Sequence, residues 1–121
     1  MPNVGYRVIA GQDHTQEAQR GIAMILKSTI GELGQIVITR GLNSAIEQSQ
    51  EAHAEVMDAL RRYMLGEWGD LGAEDKEMND NAVRNPKSDR ILARYNLECG
   101  SIYIITEWDR SYTTLMFCEE Y

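Results

Sequence analysis

Residues 102–117 read "IYIITEWDRSYTTLMF", and near their centre Glu107, Asp109 and Arg110 fall within four positions. Paired carboxylates are the groups of general acid–base chemistry, one giving a proton and the other taking one. Alternate residues of a strand share a side, so an extended chain would set Glu107 and Asp109 together. With His53 as a further base the set would suit a small hydrolase. A hairpin tip explains the same residues without chemistry: Asp109 bonds the turn backbone and Arg110 pairs locally. The turn is the preferred reading, because turns recruit these residue types whatever the function. His53 falls on an apolar helical stripe with no carboxylate partner apparent, as a core or boundary histidine.

A second concentration of chemistry lies upstream, in "GEWGDLGAEDKEMNDN" (66–81). It carries six acids, Glu67, Asp70, Glu74, Asp75, Glu77 and Asp80, against the single base Lys76, within a chain of net charge −7. If a helix reached back to Asp70, then Asp70, Glu74 and Glu77 would form a ridge at i, i+4, i+7. Three carboxylates can hold Mg²⁺ or Ca²⁺, but the alternating acids of an EF-hand loop are absent. A solvated helix face is the plain alternative. The sharper one is a surface that mimics spaced phosphates and occupies a basic nucleic-acid channel. Trp68, between two glycines, is either a plug at a helix–loop corner or an exposed anchor for a partner. Trp108 is expected to pack against a helix end. The candidate partner-binding set is thus Glu67, Trp68, Asp70, Glu74, Asp75, Glu77 and Asp80, with no catalytic residue, metal ligand or cofactor assigned.

Other chemistries find little footing. There is no Gly-x-Ser-x-Gly elbow, no phosphate loop and no Cys/His spacing for zinc. Cys99 and Cys118 are expected to be free thiols, and Glu119 and Glu120 would raise the pKa of Cys118 and blunt it. The acidic balance argues against direct nucleic-acid binding. No apolar run approaches the roughly 18 residues of a membrane span, and "MPNVGYRVIAGQD" lacks a basic region followed by an apolar one, so a cytoplasmic protein is expected.

The elements that must position these residues follow from periodicity. "YRVIA" (6–10) suits a short strand, and 15–30 has helical spacing at Ala18, Ile22, Ile25/Leu26 and Thr29/Ile30. "QIVITR" (35–40) is a β-branched strand. Gly41 turns the chain into a long helix from about Ser44 to Met64, with a stripe at Ile46, Ser49, His53, Val56/Met57, Leu60 and Tyr63/Met64. A shorter helix, roughly Ala73–Arg84, follows with Asp70 as a capping acid and a thin apolar side of Met78, Ala82 and Val83. Strands at 90–95, 101–106 and 112–117, separated by short turns, read as antiparallel hairpins. Ile102 and Ile104 on one face and Tyr103 and Ile105 on the other make 101–106 a central strand. The expectation is an α+β fold: an antiparallel sheet of about four strands, in a β-α-α-β-β-β core, packed on one long and one short helix. Residues 35–121 form the domain, and 1–34 an N-terminal extension that either adds a helix to the other face of the sheet or makes a partner surface.

Three blocks, "LGQIVITRGLN" (33–43), "GEWGDLGAEDKEMND" (66–80) with "RILARY" (90–95), and "IYIITEWDRSYTTLMF" (102–117), resemble a family of small bacterial proteins. Those proteins are carried on plasmids, prophages and integrative elements and labelled plasmid-related or restriction–modification-associated. The resemblance covers about residues 33–121 and carries over no catalytic residue. The chain departs from the pattern in its N-terminal extension and in ending "FCEEY" in place of a Phe-Pro-containing tail. What the resemblance implies is context, since small acidic proteins of mobile elements are often anti-CRISPR or anti-restriction inhibitors. The expected partner is therefore a host defence protein or ribonucleoprotein complex with a basic channel.

Overall fold

The computed structural model describes residues 6–8 and 28–121. Its elements are β1 (Tyr6–Val8), β2 (Gln35–Thr39), α1 (Arg40–Gln48), α2 (Gln50–Met64), α3 (Ala73–Arg84), β3 (Ile91–Leu97), β4 (Gly100–Thr106), β5 (Tyr112–Phe117) and a closing 3₁₀ turn, Cys118–Glu120. The fold is α+β. The sheet runs β1-β2-β5-β4-β3, so the last strand lies inside it. β5 pairs antiparallel with β4 but parallel with β2, Ile36 opposite Thr113 and Ile38 opposite Leu115. The sheet is therefore mixed where a purely antiparallel one was expected. Parallel neighbours need a long crossover, and here the helices, β3 and β4 together supply it.

The pleat gives the sheet two apolar sides. On the front, Ile38, Ile91, Ile102, Ile104 and Leu115 meet Leu42 of α1, Val56, Leu60 and Tyr63 of α2 and Ala82 of α3 in one core. The expected long helix is two. Ser49 adopts extended backbone (φ −145°, ψ 121°), and its hydroxyl accepts from the Ala52 amide at 3.1 Å, capping α2. The stripe shifts accordingly: Ala52 is buried, and His53 is exposed rather than in the core. α1 starts straight from β2, so Gly41 is a helical residue and not a turn. Its N-terminus has no local acid or side-chain cap. Glu120 supplies both from the far end of the chain: one oxygen accepts from the Thr39 hydroxyl (2.7 Å) and the Phe117 amide (3.0 Å), the other from the Gly41 amide (3.3 Å). A carboxylate there suits the positive end of the helix dipole.

The segment drawn as an extension enters this framework. β1 pairs antiparallel with β2, and Ile30 lies in the front core. Thr29 donates its amide to the Met64 carbonyl at 2.8 Å. The helix expected over 15–30 falls mostly outside the described residues, and 28–30 are not helical.

A buried file of hydroxyls joins the layers. The Thr113 hydroxyl donates to the Leu33 carbonyl (2.6 Å), Thr106 and Thr113 lie 2.7 Å apart, and Tyr63 lies 2.7 Å from Thr106. Each hydroxyl has one proton. Thr113 spends its proton on Leu33, so Thr106 must donate to Thr113 and Tyr63 to Thr106. Burial pushes the Tyr63 hydroxyl well above its ordinary pKa, with the Thr106 bond and the Arg110 charge pulling partly back. The direction of the file ranks two substitutions. Tyr63→Phe removes only the first donor and should cost about 1 kcal/mol, whereas Thr113→Val strips Thr106 of its acceptor and Leu33 of its donor and should cost about 2 kcal/mol. Urea unfolding of both variants checks that order.

Candidate partner-binding surface

One of the six acids, Asp70, and the neighbouring Asn79 are spent on a sheet edge. β3 is the outermost strand, and its outward backbone groups would otherwise be a template for another chain. They are closed from within. The Asp70 amide donates to the Arg94 carbonyl at 2.6 Å, and the Asp70 carboxylate accepts from the Asn96 amide at 2.9 Å. The Asn79 side chain donates to the Leu92 carbonyl (2.8 Å) and accepts from the Leu92 amide (3.2 Å). Gly69 bridges to Arg94 with φ +76°, and a Cβ there would run into the Arg94 carbonyl and the Tyr95 ring. Asp70 is thus not the cap of α3; Gly72 is, without a side-chain bond. The helix does not reach back to Asp70, so the ridge with Glu74 and Glu77 does not form. Among the described residues no three His, Cys, Asp or Glu side chains gather closely enough to hold a metal ion.

Trp68 is the plug of the two alternatives, only 4% exposed. Its indole N–H donates to the Asp80 carboxylate at 2.9 Å, and its ring meets Tyr63 edge to face at 5.5 Å. The Glu67 carbonyl accepts from the Tyr95 hydroxyl at 2.6 Å, while the Glu67 residue is exposed. Glu74, Asp75 and Glu77 remain. They are exposed on the first two turns of α3 and make no side-chain hydrogen bond or ion pair with any described residue. The seven candidates therefore divide: Trp68, Asp70 and Asp80 hold the fold, and Glu67, Glu74, Asp75 and Glu77 face solvent. Met78, expected on the buried side of α3, is 55% exposed, and Asn79 takes its place.

The strand geometry that would have paired Glu107 with Asp109 is absent. β4 ends at Thr106, and 107–110 form a turn closed by the Arg110 amide on the Glu107 carbonyl. Asp109 accepts from the Ser111 amide at 3.0 Å, and hydrogen bonding from the Ser111 side chain first, then from its backbone, holds the Asp109 carboxyl below the ordinary value. His53 sits at the opposite end of β4, since Glu55, two residues on, accepts from the Glu98 and Cys99 amides of the β3–β4 turn. A seven-residue strand separates His53 from Glu107 by about 20 Å. Arg110 pairs with no carboxylate among the described residues. It is buried, and its guanidinium donates to the carbonyls of Ala82 (2.9 Å), Asp89 (2.8 Å), Glu107 (3.1 Å) and Trp108 (3.3 Å). Trp108, expected to pack on a helix end, stands 57% exposed on this turn. Cys118 is a free thiol whose pKa is raised by burial rather than by Glu119 and Glu120.

The roles of Glu55, Asn79, Arg110 and Glu120 were not visible in the sequence, because each reaches a partner set by tertiary packing. Among the described residues no helix is long and apolar enough to cross a membrane. Comparison of the chain with models of known protein families, with curated proteins and with solved structures finds no match.

Arg110 has φ +62°, a conformation that glycine adopts freely and other residues at a cost of roughly 1–2 kcal/mol. Arg110→Gly would relieve that strain. It should nevertheless destabilise the protein by about 2 kcal/mol or more, because four carbonyls lose a charged donor. A rise in melting temperature for this variant would contradict the assignment.

Proposed function

We propose that this protein is a non-enzymatic inhibitor of a bacterial defence nuclease complex, carried on a mobile element. It binds through the acids at the start of α3, which occupy a Lys/Arg-lined channel otherwise used by nucleic acid. The observation that carries this reading is the freedom of Glu74, Asp75 and Glu77 within a stretch where Asp70 and Asp80 are bonded. Glu74 and Glu77 stand one helical turn apart, about 5–6 Å between Cβ atoms. That spacing gives a basic groove two anionic contacts on a rigid element. The resemblance to small mobile-element proteins supplies the setting.

A second reading has its own observation. Trp108 projects from a turn that Arg110 ties to the end of α3, and exposed indoles on rigid supports are frequent anchors of protein interfaces. On that reading the chain is an interaction module for another protein of the same element, and the acids only keep it soluble.

Two variants separate the readings. Glu74→Lys, Asp75→Lys and Glu77→Lys together should lower protection of a targeted plasmid in a defence-proficient host by at least about tenfold, since like charges would then face the channel. Trp108→Ala should leave most of the protection. Protection that survives the triple reversal contradicts channel occupation, and loss with Trp108→Ala alone favours the second reading. Binding to the partner, once isolated, should weaken steeply between low and physiological salt.

A further inference from the structure

The exposed face of α3 carries charges of both signs in a definite order. At about 100° per residue, Glu74, Glu77, Met78, Asn81 and Arg84 fall within one arc of about 120°. All of them are exposed, and the buried residues of the helix, Asn79 and Ala82, lie outside that arc. The stripe thus has acids on its first half, a thioether near its middle, and an amide and a guanidinium on its second half. Met78 is 55% exposed, a large apolar side chain that the core leaves in water. Arg84 donates to the Asn81 Oδ1 and meets no carboxylate among the described residues. With Oδ1 taken, the Nδ2 group of Asn81 remains to donate elsewhere.

A stripe of this order is complementary to itself when reversed. We infer that α3 pairs antiparallel with α3 of a second copy of this chain, about a two-fold axis at the level of Asn79. Positions 74 and 84 lie equally far from 79, and so do 77 and 81. The axis therefore sets Glu74 of each copy against Arg84 of the other, and Glu77 against the Asn81 amide. At a rise of about 1.5 Å per residue, the two Met78 positions stand within about 3 Å of the same level and meet at the centre. Each contact occurs twice, as an isologous pairing demands. Parallel pairing would set acids against acids instead. The net charge of −7 opposes association only weakly at physiological salt, where charges beyond about 8 Å are screened. The contact is one helix wide, short of the roughly 1,200 Å² of a stable interface, so the dimer is weak and reversible. It covers two of the three acids that the proposed function sends into a channel, and on that reading partner capture draws on the monomer. The dimer itself does not depend on that function.

A charge exchange read by sedimentation equilibrium on the full chain, at physiological salt, tests the pairing. The unaltered chain should show a monomer–dimer equilibrium with a dissociation constant below about 1 mM. Glu74→Arg and Arg84→Glu should each raise that constant at least about tenfold, because like charges then meet twice. An equimolar mixture of the two variants should recover a dimer, now of unlike chains, within about threefold of the original affinity. Both side chains are exposed, and circular dichroism checks that each variant is folded. Glu74→Arg with Arg84→Glu in one chain keeps the composition and the pairing, and must dimerise like the original even where a single change loosens the helix. A chain that stays monomeric to about 1 mM overturns the inference. So does a dimer indifferent to either single change, which would place the second copy on another surface. If neither the mixture nor the double variant restores association, the register is wrong and the pairing falls with it.

Discussion

A guanidinium buried with no carboxylate partner among the described residues is the constraint around which the β4–β5 turn and the end of α3 are arranged. Arg110 draws carbonyls from the third helix, from the loop after it and from its own hairpin turn to one charge. A buried arginine cannot shed its proton, so it must be met by acceptors, and here every acceptor is main chain. The arrangement fixes where α3 ends, how the loop at Asp89 enters β3, and where Trp108 stands. It also explains a left-handed arginine where glycine would be the ordinary choice. Next to it, the file from Tyr63 to Leu33 carries the same logic into the core, with every hydroxyl donating once.

The acidic stretch shows how a fold divides residues of one type between structure and solvent. Asp70 and Asn79 close the backbone of an edge strand, which both stabilises β3 and removes a template for unwanted pairing. Asp80 satisfies an indole that is otherwise buried. What is left is three exposed acids, Glu74, Asp75 and Glu77, on the first two turns of α3. That division turns a broad composition signal into three named side chains, and the functional proposal rests on those three rather than on net charge.

Much of the architecture was legible. The β-branched runs at 35–39 and 112–117 and the alternation at 101–106 are strands within a residue of where periodicity places them, and α3 spans the expected residues. The break at Ser49 was missed because the apolar stripe continues across it. The signal lay in Ser49 with Glu51 two residues on, a cap with an acid in the first turn. The parallel pairing of β2 with β5 was not legible, since no local spacing records which distant strand lies alongside. Trp68 could be read either way, because its burial depends on the Asp80 carboxylate of α3 coming within reach of the indole, a fact of packing and not of sequence. Glu55 and Glu120 read as surface acids, and both turned out to satisfy backbone amides more than forty residues away.

The central claim is that Arg110 is a structural tie and not part of a reactive site, and the side chain itself reports on it. Arginine-selective ¹⁵N NMR of the guanidinium resolves the Nη protons of an arginine whose rotation and solvent exchange are hindered. Four carbonyl acceptors predict a separate, slowly exchanging set of Arg110 Nη–H signals at neutral pH, lost in Arg110→Lys. An Arg110 guanidinium that exchanges as fast as those of exposed arginines such as Arg84 would contradict the account.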